Sequence, residues 1–183
     1  MKEPDSQNEE AQLVHKAKQG DKEAFDALML MTQDYVFRLA YRMLDNKDDA
    51  LDVMQEAFYR AYRSLKSFRG DSSFRYWVET IATRLCLARY RKKRIFVRIE
   101  EIVGLGKEPE QDNLDSEKES RILQDALGTL TPRERAALVL QMEGGKSIKE
   151  IANTMGVAEG TVKALIHRAK EKLYKKLRKY FKR

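Results

Sequence analysis

Apolar residues recur at intervals of three and four along most of this chain, the repeat of a helix with one buried face. Residues 1–10 are polar and are expected to fray, and the pattern starts at Leu13. Gly20-Asp21 interrupts it, and Asp21 is placed to cap a helix carrying Phe25 and Leu28. Val36, Leu39, Ala40, Met43 and Leu44 continue one face, and Asp45-Asn46 breaks it. The clearest stripe follows, with Ala50, Val53, Met54, Ala57, Phe58, Ala61 and Leu65 on one side of a helix. A loop, SFRGDSS over 67–73, leads to a helix starting at Phe74, with Trp77, Val78, Ile81 and Leu85 inward. That helix is expected to end in the basic run Arg89–Arg94.

Residues 100–119 show no sustained period and contain Gly104, Gly106 and Pro109, so they read as a linker. A compact helical unit comes next. Thr131-Pro132-Arg133-Glu134 is a capping box with proline at the first helical position, and Ser147-Ile148-Lys149-Glu150 is a second box. Gly144-Gly145 closes the first of these helices and Gly156 the second. A last helix is expected from about Glu159 to Tyr180, with Val162, Ile166, Ala169, Leu173 and Leu177 inward and Leu165 beside them. The fold class is therefore all-α: two small helical domains joined by a flexible acidic linker.

Composition agrees with this reading and narrows the chemistry. The chain has 183 residues, with only nine glycines and three prolines. One cysteine, Cys86, excludes an internal disulfide; between Leu85 and Leu87 it reads as buried and inert, and a free thiol suits a reducing cytoplasm. Two histidines and that cysteine lie far apart, so no His/Cys metal site, and no cofactor, is expected. No apolar run approaches the ~20 residues of a membrane span, and nothing near Met1 reads as a signal peptide. The net charge of +7 is unevenly spread. Residues 1–95 hold 18 basic and 15 acidic side chains, 96–128 hold 4 and 9, and 129–183 hold 14 and 5. A basic end invites nucleic acid as a partner.

Residues 147–172 read as a helix-turn-helix. A capped short helix, a glycine turn and a longer helix with a basic outer face make the geometry that enters a major groove. Ile148, Ile151, Ala152 and Met155 are spaced to meet Val162 and Ile166, which fixes the second helix at an angle. Its outward positions are Thr161, Lys163, Ala164, His167, Arg168 and Lys170. Lys163 and Arg168 can reach guanine edges or phosphates, and Ala164 a thymine methyl.

Two further groupings are less decisive on the residues alone. Between 66 and 94, Phe68, Phe74, Tyr76, Trp77 and Tyr90 alternate with Arg69, Arg75, Arg84, Arg89, Arg91, Lys92 and Lys93. Aromatics can stack on unpaired bases while cations follow phosphates, yet Phe74 and Trp77 at helical spacing are more often core than stacking platforms. Along DALDVMQEAFYRAYR (49–63), Asp49, Asp52, Gln55, Glu56 and Arg60 share an exposed side, either a protein-binding face or a solvated surface.

Taken in order, GDKEAF (20–25), YVFRLAYRML (35–44), the stretch 49–82 and the stretch 130–173 resemble the extracytoplasmic-function sigma factors, the small sigma subunits of bacterial RNA polymerase in the sigma-70 family. The resemblance covers about residues 11–178. It implies sigma region 2 at 11–95, a linker at 96–124 and region 4 at 125–180. It implies that Asp49, Asp52, Gln55, Glu56 and Arg60 grip the clamp coiled-coil of the β′ subunit. It implies that the 68–74 loop captures a flipped base of the −10 element. The helix 74–94 would recognise and melt that element, with Phe68, Arg69, Phe74, Tyr76, Trp77, Arg84, Arg89, Arg91, Lys92 and Lys93 in contact. Thr161, Lys163, Ala164, His167, Arg168 and Lys170 would read the −35 element, with region 4 resting on the β flap. An anti-sigma factor and a cytoplasmic location are implied too. The chain would be no enzyme, and would not insert in a membrane itself.

Some positions depart from the family. Arg84 stands where Asn is frequent and Ala88 where Asp is, which bears on −10 capture. Ala164 and Leu165 replace a common Ser or Thr and Arg, which bears on −35 preference, and Leu51 replaces a frequent acid. One rival is a stand-alone activator, because 130–173 also resemble LuxR-type DNA-binding domains. Such a regulator would carry an α/β receiver, whereas 11–95 show only helical periods. The other rival, a hydrolase built on Asp49, Asp52 and Glu56, lacks a histidine, nucleophile elbow or phosphate loop to support it.

Overall fold

The computed structural model describes the backbone of residues 4–103, 126–143 and 145–178, and the side chains of 8–91, 126–143 and 145–178. Every regular element among the described residues is helical. None of these helices is long and apolar enough to cross a membrane. The chain divides into two compact units, Met1–Cys86 and Leu87–Arg183.

The first unit is built from α1 (Pro4–Lys18), α2 (Lys22–Leu44), α3 (Lys47–Ser64), a 3-10 turn (Leu65–Ser67) and the start of α4 (Phe74–Val103). Asp21 caps α2 as expected: its carboxylate accepts the Ala24 N–H at 3.1 Å. Asp45 ends α2 in the left-handed region (φ 55°), and Asn46 accepts the Asp49 N–H at 2.8 Å to start α3. The stripes of α2 and α3 are largely buried as the spacing requires, but on α4 only Val78 of the four residues expected inward is buried; Trp77, Ile81 and Leu85 are half-buried, and the face turned to the core runs through Phe74, Val78, Ala82 and Cys86. Leu28, Val36, Leu39, Ala40 and Met43 of α2, Ala50, Val53, Ala57, Phe58 and Ala61 of α3, and Phe74, Val78, Ala82 and Cys86 of α4 are buried; α2 packs along α3, and Phe25 of α2 meets Phe74 of α4. Each fully buried large side chain contributes about 1.5–3 kcal/mol relative to exposure.

Two boundaries differ from the sequence reading. The first ten residues were expected to fray, but α1 begins at Pro4, a favoured first helical residue. The helix expected to stop in the Arg89–Arg94 run continues through Val103, past the expected boundary at 95 and into the segment read as linker. The first strong breaker there is Gly104.

A polar contact inside this unit had no sequence signal. Glu79 is buried and accepts the Tyr35 hydroxyl at 2.6 Å, which ties α2 to α4. Burial, that hydrogen bond and the carboxylate charge all push the Tyr35 phenol above its ordinary range.

The second unit contains helical residues 126–128, α5 (Pro132–Met142), α6 (Ile148–Met155) and α7 (Glu159–Leu177). Both capping boxes form. Thr131 Oγ1 accepts the Glu134 N–H while Glu134 accepts the Thr131 N–H at 2.9 Å. Ser147 and Glu150 do the same at 3.2 and 2.8 Å. Gly156 (φ 66°) closes α6, and the Val157 N–H returns to the Ala152 carbonyl at 3.1 Å, a Schellman ending. Leu140, Ile151, Val162, Ile166 and Ala169 form the buried centre. The expected end of the last helix at Tyr180 lies outside the described residues; α7 is described to Leu177.

Candidate nucleic-acid interface

On α3, Asp49, Asp52, Glu56 and Arg60 follow a 3-4-4 spacing, with Gln55 alongside, so all five share one side. Asp52, Gln55 and Arg60 are exposed, and Asp49 and Glu56 half-buried. Arg60 Nε donates to Glu56 Oε1 at 2.7 Å. With both partners near half-exposed, the pair fixes geometry more than stability. Gln55 also edges an open groove of about 540 Å³ lined by Phe25, Met29, Met54, Tyr59 and Tyr62.

The loop between the 3-10 turn and α4 borders a larger groove of about 710 Å³. Its walls come from Arg69–Ser73 and Arg75 on one side, Met31 and Thr32 of α2, and Glu10, Val14, His15 and Lys18 of α1. Gly70 adopts φ +85°, a conformation that side chains resist. Ser73 Oγ accepts the Tyr76 N–H at 3.2 Å, and Glu10 accepts the Phe74 N–H at 2.7 Å. Lys18 Nζ donates to the Phe68 carbonyl and lies 5.8 Å from the Phe68 ring centre.

The aromatic residues of this region need correction. Phe68 and Phe74 are buried, so their rings are not open stacking faces; for Phe74 this is the core placement that its helical spacing favours. Phe68 stacks on Trp77 at 4.8 Å, and Phe74 meets Phe25 edge-on at 6.0 Å. Trp77 is half-buried, with a ring face given to Phe68. The three rings floor the loop from beneath. The exposed line of α4 is instead polar: Arg84 and Arg91 are exposed, and Tyr76 and Arg89 half-buried, with Arg69 exposed on the loop. Arg75 is exposed too, its guanidinium 4.9 Å over the Tyr35 ring. The side chains of Lys92 and Lys93 lie outside the described residues.

In the second unit the short α6 and the long α7 cross a glycine turn, and all six expected reading positions are outward. Thr161, Lys163, Ala164, His167, Arg168 and Lys170 are each exposed. Leu165, by contrast, is buried. Sequence reasoning missed what holds this helix. Glu134, only 4% exposed in its side chain, accepts Lys172 Nζ at 2.7 Å and faces Arg168 Nε at 3.3 Å. The N-terminal turn of α5 is thereby pinned to the middle of α7. Burial pushes the Glu134 carboxyl up. The hydrogen bonds from Lys172 and from Thr131, with the Lys172 charge, outweigh burial and hold it below the usual range.

The comparisons fall on the same two units. The family described as Sigma-70 region 2 matches residues 28–95, and Sigma-70, region 4 matches 120–173. The ECF RNA polymerase sigma factor SigW of Bacillus subtilis is 34% identical over 178 residues, covering 90% of this chain and 95% of that protein. The ECF RNA polymerase sigma-E factor of Escherichia coli is 33% identical over 93% of this chain and 95% of its own. The chain belongs to the ECF sigma factors. Its fold is similar to that of the sigma factor RpoE in complex with the anti-sigma factor NepR from Bartonella quintana. The TM-score there is 0.69 and the identity 24%, covering 87% of this chain and 98% of that one. CnrH in complex with the cytosolic domain of CnrY has a TM-score of 0.67 at 24% identity, covering 92% and 97%. As an ECF sigma factor, the protein is a transcription initiation factor. Its N-terminal half matches a sigma region, and every regular element among its described residues is a helix, so the receiver that a LuxR-type regulator needs is not what stands there.

Proposed function

We propose that this ECF sigma factor joins core RNA polymerase through α3, with Asp49, Asp52, Gln55, Glu56 and Arg60 on the β′ clamp coiled-coil. Region 2 spans 11–95 and region 4 spans 125–180; α4 runs on from region 2 to Val103, so of the linker 96–124 the stretch after Val103 is the tether. The 68–73 loop and the exposed line of α4 recognise and open the −10 element. Arg69, Tyr76, Arg84, Arg89 and Arg91, with Lys92 and Lys93, serve there as phosphate and base contacts. Phe68, Phe74 and Trp77 act from beneath, as the floor that shapes the loop. An unstacked base enters the 710 Å³ groove, where Ser72, Ser73, Asp71 and Arg69 offer donors and acceptors to its edge. Melting then needs no chemistry: capture of bases stabilises the open strand. Region 4 reads duplex −35 DNA with Thr161, Lys163, Ala164, His167, Arg168 and Lys170, and rests on the β flap. The protein works in the cytoplasm, and an anti-sigma factor controls it by covering these surfaces.

The observation that carries this reading is the pairing, on one chain, of a helix-turn-helix with six outward reading positions and a separate loop-framed groove beside an exposed α3 stripe. The test is run-off transcription with purified bacterial core polymerase on a mixed promoter library, with and without the protein. New start sites sharing two upstream elements are expected. No new starts, with duplex DNA still shifted by the protein alone, would overturn the role given to α3.

A further inference from the structure

We infer that α1, which lies before the matched region 2, is part of the promoter-opening apparatus: Glu10 and Lys18 are positioning residues that set the 68–73 loop before DNA arrives. The inference rests on the −10 role proposed for that loop. The region 2 match begins at residue 28, and although the span proposed for region 2 starts at residue 11, none of the −10 contacts proposed for it lies on α1.

Two contacts carry the inference. At one end of the loop, Lys18 Nζ donates to the Phe68 carbonyl and lies near the Phe68 ring. At the other, the Glu10 carboxylate accepts the Phe74 N–H at 2.7 Å, one of the N–H groups that the first turn of α4 cannot satisfy itself. Both are charge-assisted hydrogen bonds, stronger than neutral ones. They come from two turns of a single helix, so α1 works as a rigid strut across the loop's two ends. Val14 and Ala17, buried on the same helix, seat that strut in the core. The stretch between the ends, Arg69–Ser73, has Arg69, Gly70 and Asp71 exposed, and Gly70 at positive φ adds freedom. A loop so exposed at its tip gains most from having its ends fixed, because a pre-set loop does not lose that freedom on binding. His15 and Lys18 also line the groove on the wall opposite the loop, so a captured base lies between α1 and residues 69–73. Lys18 thus has a second consequence, a cation beside the strand that the groove admits.

The test uses holoenzyme assembled from core polymerase and full-length protein. The probe is a fluorescent single strand carrying the −10 sequence of a promoter recovered by the run-off assay, with an abasic site moved along it. Wild-type holoenzyme is expected to lose affinity sharply at one abasic position, the captured base. Glu10→Ala and Lys18→Met are each expected to bind the intact strand roughly tenfold more weakly. They should flatten the abasic contrast, with core binding, −35 duplex binding and thermal stability unchanged. Glu10→Gln keeps a carbonyl acceptor for the Phe74 N–H and is expected to retain most of the contrast. If Glu10→Ala and Lys18→Met assemble normally and keep the full contrast, the inference is overturned while the −10 role of the loop stands. If wild type shows no contrast at any position, that role fails and the inference falls with it. If Glu10→Ala lowers thermal stability, Lys18→Met, which keeps the apolar stem, decides the matter by the same contrast.

Discussion

At the scale of the residue, Glu134 does the most with one side chain. It closes the capping box of α5, accepts Lys172 at 2.7 Å and faces Arg168 at 3.3 Å. Its carboxyl is held below the ordinary range although burial opposes this. A carboxylate shifted down in the folded state stabilises the fold above its unfolded value, about 4.3 for glutamate. That contribution disappears as pH falls through the lower folded value. Glu134→Gln is expected to cost about 1–2 kcal/mol at pH 7, because its cationic partners, 38% and 54% exposed, regain water when released. Denaturant unfolding of the full chain at pH 7 and again well below pH 4 measures this. The gap between wild type and variant should narrow in acid. A gap of the same size at both pH values would show that the Glu134 charge is not what matters. Because Arg168 is one of the positions proposed to read the −35 element, the variant should also weaken −35 duplex binding through a looser Arg168, more at low salt than at high.

At the scale of the element, turns decide the geometry. Gly156 stands at φ 66°, and a Cβ there would meet nothing within 4 Å. Gly156→Ala therefore isolates the backbone cost, about 1–2 kcal/mol for a residue forced left-handed. Thermal unfolding should show that loss, while −35 base preference stays the same because the outward face of α7 is intact. A changed preference would mean that the turn re-aims α7 instead of simply straining. This part of the fold was legible in the sequence. Two capping boxes, Gly156, and the Asp21, Asp45 and Asn46 breaks are local signals whose chemistry requires no tertiary context. Less was legible where context decides. The first turns of α1 are polar, so periodicity missed a helix that Pro4 begins and that Val14 and Ala17 anchor. The end of α4 was set too early because a basic run resembles a terminus, whereas Phe96–Val103 carries no breaker before Gly104. The six α7 positions followed from spacing alone. Helical spacing already favoured a core for Phe74, but Phe68, in the loop, has no period to sort it: an aromatic in a basic stretch suits a base or a core, and packing against Trp77 decides.

At the scale of the whole molecule, charge is distributed by segment, and the joint opposes its neighbours. Residues 129–183 carry 14 basic side chains against 5 acidic, while 100–119 carry 8 acidic against 2 basic. As a tether, the 22 residues from 104 to 125 can span at most about 73–79 Å, which any uncharged sequence of equal length would also do. Length therefore does not account for the acids, and the effect expected of them is electrostatic. A polyanionic joint lowers the local attraction of any DNA that is not held by the reading surfaces, because non-specific affinity comes from phosphate neutralisation. Changing Glu108, Glu110, Glu117 and Glu119 to Gln and Asp112 and Asp115 to Asn would move the net charge from +7 to +13 at constant length. That variant is expected to bind non-promoter duplex severalfold more tightly near 50 mM salt and to converge with wild type near 0.3 M, where the Debye length falls to about 6 Å. Promoter affinity should rise less, since the base contacts proposed for α7 are untouched, so the ratio of specific to non-specific binding falls. Fluorescence anisotropy on matched promoter and scrambled duplexes across a salt series reads both quantities. If the two proteins trace the same curves at every salt concentration, the joint is only a spacer. If they diverge at low salt alone, its acids set how selectively the DNA contacts proposed for regions 2 and 4, joined by one tether, find a promoter.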